Sequence, residues 1–127
     1  MKVVHCEQVT STPVEAEGSV GCNIRVLIGP DDAAPHFTMR QIEIAVGGHT
    51  SHHAHPHEHE IFILEGSGIV MEGAQEHAIR PGTVVYVPPK QVHQFRNTGA
   101  TPLRMLCLIP HTQPGLLDSC LLTCGGE

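Results

Sequence analysis

Between residues 37 and 109, no apolar or alternating run exceeds about ten residues before glycine or proline interrupts it, and this punctuation is what most restricts the fold. Short β-prone runs that recur between turn signals belong to an all-β sandwich or barrel. The expected strands are residues 3–9, 22–28, 37–46, 61–65, 69–72, 76–79, 83–87, 93–97 and 103–109. In the second, Cys22, Ile24, Val26 and Ile28 alternate with Asn23, Arg25 and Leu27. In the third, Ile42, Ile44 and Val46 share one face, while Met39, Gln41, Glu43 and Ala45 share the other. Gly29-Pro30-Asp31-Asp32, Gly66-Ser67-Gly68, Gly73-Ala74, Pro81-Gly82 and Thr98-Gly99 supply turn chemistry. Gly47-Gly48 is expected to turn the third strand into the segment that follows. Residues 115–124 are the one helical candidate.

That following segment concentrates histidine. Residues 47–66 read G-G-H-T-S-H-H-A-H-P-H-E-H-E-I-F-I-L-E-G and hold six of the chain's 11 histidines. Neutral imidazole is the commonest protein ligand for first-row transition metals. An extended backbone would set His53, His55, His57 and His59 on one face, where a single ion could take several of them.

The spacing also matches a known pattern. Gly47, His53, His55, His59 and Gly66, followed by Gly82, Pro88, His93 and Asn97, resemble the two sequence motifs of the cupin family, separated by a short gap at residues 67–81. The resemblance implies an all-β cupin fold, the double-stranded β-helix or jelly-roll barrel, as a single domain over residues 1–127. It also implies one divalent metal ion per chain, held by His53, His55, His59 and His93. Manganese or iron is the expected metal, with zinc, nickel and copper also compatible with imidazole. Two positions depart from the family: His59 stands where most cupins carry glutamate, and Lys90 where the second motif has glycine. Taking Glu58 or Glu60 as the ligand would shift the register by one residue and turn the side chain to the opposite face. His57 is held in reserve as a ligand, and with His52 is expected at the rim or surface.

Composition limits the partners. The net charge is −6, with 7 lysines and arginines scattered along the chain, so nucleic acid and anionic membrane surfaces are not expected partners. No stretch reads as a membrane span or secretory signal. Five irregularly spaced cysteines, Cys6, Cys22, Cys107, Cys120 and Cys124, argue against a disulfide framework and for a reducing cytoplasm. Cys120 and Cys124 are expected as free thiols, because two ligands do not make a zinc site.

Four neutral ligands would leave a divalent ion its whole charge, favouring an anionic or chelating small molecule such as an enolate or carboxylate. Phe95, two residues after His93, is expected as a pocket wall. Met39 and Gln41 are candidates to line the pocket while Ile42 and Ile44 pack outside, with the opposite facing left open. Cys107 is expected to face inward, in a core or a catalytic role. Lys90 and Arg96 are either anion-attracting or solvated loop cations. If His59 points inward, Phe62 and Leu64 point out, an apolar patch suited to a homodimer contact. The function these features suggest first is a metal-dependent oxygenase of dioxygenase type, acting on a small chelating substrate. A non-redox isomerase, lyase or decarboxylase and a non-catalytic anion-binding module are the alternatives.

Overall fold

The computed structural model describes residues 1–52 and 54–111, so the expected helix at 115–124, with Cys120 and Cys124, lies outside the described residues. Nine strands follow one another: β1 (Thr12–Pro13), β2 (Val20–Ile28), β3 (Phe37–His49), β4 (His59–Glu65), β5 (Gly68–Glu72), β6 (Gln75–Ile79), β7 (Val84–Val87), β8 (His93–Asn97) and β9 (Leu103–Pro110). The described helical pieces are two single 3-10 turns, Cys6–Gln8 and Pro30–Asp32. No helix among the described residues is long and apolar enough to cross a membrane. Cys6, Cys22 and Cys107 are free thiols.

The strand pairings are antiparallel, in the order β6-β5-β8-β3-β9-β4-β7, with β2 on β3 and β1 on β2. This all-β sheet curls on itself, which makes one face an interior. Strand β9 is central, because it pairs with β3 on one side and β4 on the other. Its burial alternates along its length, with Leu103, Met105, Cys107 and Ile109 all at 0% exposure. Ile42 and Ile44 on β3 and Ile61 and Ile63 on β4 complete the centre of the core. Each fully buried aliphatic side chain of this kind contributes roughly 1.5–3 kcal/mol.

Three expectations are corrected. Residues 3–9 form no strand. The His5 ring accepts from the Glu7 N–H at 3.1 Å and the Gln8 side chain accepts from the His5 N–H at 3.0 Å, and together they stabilise a turn. Secondly, of the two facings left open for β3, the structure takes the one with Ile42 and Ile44 inward, although Gln41 is itself buried at 8% exposure. Thr38, Arg40, Ile42 and Ile44 point inward, while Met39 borders an outer depression with Phe62, Tyr86, Leu106 and Leu108. The facing of β3 is decided by the two isoleucines, whose burial outweighs the cost of taking Arg40 inside with them.

Thirdly, Gly47-Gly48 does not end β3. The strand runs on to His49, and between two paired positions β2 advances from Cys22 to Val20 while β3 advances from Ile44 to His49. The extra residues form a bulge, which bends β3 away from β9 until His49 pairs with Arg96 on β8. A Cβ on Gly48 would lie 2.5 Å from the Val20 carbonyl oxygen and 3.0 Å from that of Ala45. Gly48→Ala should therefore lower stability by roughly 1–3 kcal/mol, measured by the denaturant midpoint. An unchanged midpoint would contradict the close approach.

Candidate metal centre

His59 is the first residue of β4 and His93 the first of β8, while His55 lies in the connection from β3 to β4. Lys90 fixes that connection. Its N–H donates to the His55 carbonyl at 2.7 Å, and its φ of 67° is the left-handed conformation that the motif glycine would adopt more readily. The cation at position 90 is thus tolerated at a glycine site because its backbone, not its side chain, is what the fold uses there.

His55, His59 and His93 converge. One ligand atom from each lies within 4.8 Å of the other two, and the three residues are 5%, 0% and 2% exposed. The Nε2 atoms of His55 and His59 are 2.7 Å apart. Their other nitrogens are occupied: Nδ1 of His55 donates to the His57 carbonyl at 2.9 Å, and Nδ1 of His93 donates to the Gln91 carbonyl at 2.8 Å. A carbonyl can only accept, so Nδ1 of each of these rings carries a proton, and in the neutral form the lone pair is on Nε2. Nδ1 of His59 lies 2.9 Å from the Cys107 sulfur. Ordering the outer nitrogen so that the inner one is free is how proteins prepare imidazole for a metal. The donor set fits: these three histidines could hold a metal ion.

His53, the remaining expected ligand, lies outside the described residues. Glu60 is turned to the outer depression, on the opposite side of β4 from the buried His59. Burial and the adjacent Glu58 push the Glu60 carboxyl up to about 7. His57 was expected at the rim and is instead buried at 3% exposure, its ring stacked on His55 with centroids 3.7 Å apart and planes within 4°. His52 is exposed, with Nε2 3.2 Å from the Gly73 carbonyl oxygen. Phe95 is buried, its ring centroid 6.4 Å from that of His93.

Two features carried no signal in the sequence. Arg40 is fully buried, and its Nη2 lies 3.0 Å from the Cys107 sulfur and 3.4 Å from Nδ1 of His59. The other is an access route: a cavity of about 350 Å³ opens between β6 and β7, the two ends of the strand order, with Val70, Ile79, Val85 and Val87 on its walls and His93 lining it. Glu72 and His77 also line this cavity and are hydrogen-bonded at 2.9 Å. Glu72 is the cross-strand partner of His93, which puts the two side chains side by side on one face.

Burial, then the charge of Arg40, then the neighbouring imidazoles hold His59 well below the ordinary histidine value. His57 is lowered to about 3, by burial first, then His55, Arg40 and His93. Burial raises the Cys107 thiol, against the opposing pull of Arg40. In the unfolded chain both histidines protonate near pH 6.5, whereas in the folded apoprotein they stay neutral to much lower pH. The unfolded state therefore binds more protons in this window, and stability falls as pH falls. The slope approaches about 1.4 kcal/mol per pH unit for each histidine. Denaturant midpoints of chelator-treated protein should drop between pH 7 and pH 5, less so in His57→Gln. A pH-independent midpoint would contradict the buried neutral rings.

Comparison with known proteins agrees with this geometry. Residues 40–109 match the model of the Cupin_2 family, described as a cupin domain. An uncharacterized protein of Methanocaldococcus jannaschii is 31% identical over 110 residues, covering 84% of this chain and 86% of that protein. The 1-methylthio-D-xylulose 5-phosphate methylsulfurylase of Rhodospirillum rubrum is 35% identical over 71 residues, 56% of this chain and 46% of the enzyme. Among solved structures, the polyketide cyclase RemF of Streptomyces resistomycificus superposes with a TM-score of 0.83 at 30% identity, covering 90% of this chain and 82% of that one. With the family model spanning more than half its length and a histidine group at the motif positions, the chain belongs to the Cupin_2 family.

Proposed function

We propose that this cupin is a metal-dependent enzyme that acts on a small organic molecule offering one or two oxygen atoms to the ion, in a non-redox reaction at the carbon beside that oxygen. The observation that carries it is the group of three buried histidines beside an apolar-walled cavity whose mouth holds a carboxylate. His53 is the proposed fourth ligand, beside His55, His59 and His93. A divalent ion, manganese, iron or zinc, would polarise the bound carbonyl or carboxylate oxygen as a Lewis acid. Ile79, Val85 and Val87 give the cavity apolar walls, and Glu72, hydrogen-bonded to His77, would take or return the proton. The likeness to RemF, a polyketide cyclase, supports chemistry of this class on an enolisable substrate. Sugar phosphates are disfavoured, because among the described residues no lysine or arginine lines the cavity.

The oxygenase is the second reading. Supporting it is that the group found among the described residues consists of histidines alone, which would leave the full charge of a redox ion to attract an anionic substrate. Protein purified without chelators or histidine-affinity columns should contain about one divalent ion per chain by elemental analysis, and less after His53→Ala or His93→Ala. The metal-loaded protein should then catalyse solvent deuterium exchange into a 1,3-diketone under strict anaerobiosis, followed by NMR. Glu72→Gln should slow it by roughly 100-fold or more. Dioxygen consumption with no anaerobic exchange would move the assignment to the oxygenase, and tight binding of chelating anions with neither would make the protein a binding module.

A homodimer is proposed through the outer face of β4 and β7, where Phe62, Leu64, Val84 and Tyr86 are 44%, 40%, 73% and 59% exposed. Apolar side chains gathered on one face favour a covering partner. Light scattering at micromolar concentration should give twice the chain mass, and Phe62→Asp should reduce it to one. A wild-type monomer would remove this proposal.

A further inference from the structure

We propose that Cys107, steadied by Arg40, positions His59 for metal binding by serving as the hydrogen-bond partner of its Nδ1; this rests on the metal reading above. The three histidines differ in what holds their outer nitrogen. For His55 and His93 it is a backbone carbonyl, fixed by the chain path and unable to donate. For His59 it is side chains, the Cys107 sulfur at 2.9 Å and, at the longer distance of 3.4 Å, Nη2 of Arg40, which can only donate and so cannot serve Nδ1 when that nitrogen carries the proton.

The 2.7 Å approach of the two Nε2 atoms shows why this difference matters. With its proton on Nδ1, His55 presents a bare lone pair to His59. Without a metal, the favourable arrangement has His59 donating its own Nε2–H to His55, which leaves Nδ1 as the acceptor. With a metal, Nε2 of His59 must be bare and Nδ1 must carry the proton. The partner of Nδ1 therefore has to donate in one state and accept in the other. A thiol does both, whereas a carbonyl or a guanidinium does only one.

The fold builds this contact from strand register. Arg40 and Cys107 are direct partners across β3 and β9, Cys107 is opposite Ile61 on β4, and His59 is two residues before Ile61 on the same face. Arg40 Nη2 approaches the sulfur at 3.0 Å, and both residues are fully buried. The guanidinium donates to one lone pair of the sulfur, and the second lone pair and the S–H remain for accepting from or donating to His59.

The test uses the full chain and cobalt(II) alone, titrated by calorimetry and by the visible spectrum of the bound ion, with chelator-treated protein as the start. Cys107→Val removes the hydrogen bond at similar volume, and Cys107→Ser restores a group that donates and accepts. Met105→Leu changes packing on the same buried face of β9 and is the control. Circular dichroism checks folding, and Cys107→Ala takes the place of the valine variant if that one does not fold. The valine or alanine variant should bind cobalt about 10- to 100-fold more weakly with a shifted spectrum, while the serine and Met105→Leu variants stay near wild type. Wild-type affinity in the valine or alanine variant would overturn the proposal, as would a serine variant no better than valine. If wild-type protein binds no cobalt, the metal reading itself fails, and its failure is thereby told apart from that of Cys107.

Discussion

Side chains leave a β-strand on alternate faces, and curling the sheet makes one face the interior, so the parity of a residue decides whether it can reach the centre. The strand-borne residues around the histidine group obey that constraint, whereas His55 reaches it from the connection between β3 and β4. His59, Ile61 and Ile63 share one parity on β4, Met105, Cys107 and Ile109 on β9, and Arg40, Ile42 and Ile44 on β3. The isoleucines and the metal-type side chains are therefore held by the same packing. A slip of one residue in β4 would put Glu60 and Phe62 inside and turn His59 to solvent, and the buried area of Ile61 and Ile63 opposes that slip. The aliphatic core thus acts as the register clamp of the histidine group.

The same parity explains what could be read in advance. Strands at 93–97 and 103–109, the inward turn of His59 and the outward turn of Phe62 and Leu64 follow from alternation and glycine punctuation, and the structure has them. The facing of β3 did not follow, because its pattern is apolar on both sides and Arg40 looks like a solvent-facing cation. Its burial depends on Cys107 and His59, which are distant in sequence. The run through Gly47-Gly48 was equally hidden. Two glycines signal a turn as readily as a bulge, and only the neighbouring β2 carbonyl distinguishes them. Burial of His57 was hidden for a different reason: it lies in a bend ahead of β4, where strand alternation does not apply, and the family motif has no place for it.

Placing arginine and several imidazoles in an apolar interior costs desolvation that an aliphatic core would avoid. What this accomplishes is control of protonation. A solvated histidine is partly protonated at neutral pH and then has no lone pair for a metal. Here burial and the charge of Arg40 both work against the imidazolium form of His59, and the acceptors on His55 and His93 select which nitrogen stays bare. The interior thus acts on charge state at His59 and on tautomer at His55 and His93, and these are the two conditions a ligating imidazole must meet.

The order of the strands adds a last consequence. A sheet closed into a full barrel has no free edges, but this one ends at β6 and β7, and unpaired edges invite association with other chains. Both end strands are short, of five and four residues, and β6 carries Glu76 and His77, features that discourage such pairing. The seam between them is also the cavity that reaches His93. Continuous pairing of β6 with β7 would complete the backbone hydrogen bonding and fill this seam. Because the two strands are left unpaired, a cavity of about 350 Å³ persists between them with His93 in its lining, so the same gap in the sheet that leaves two edges free also leaves space beside the histidine group.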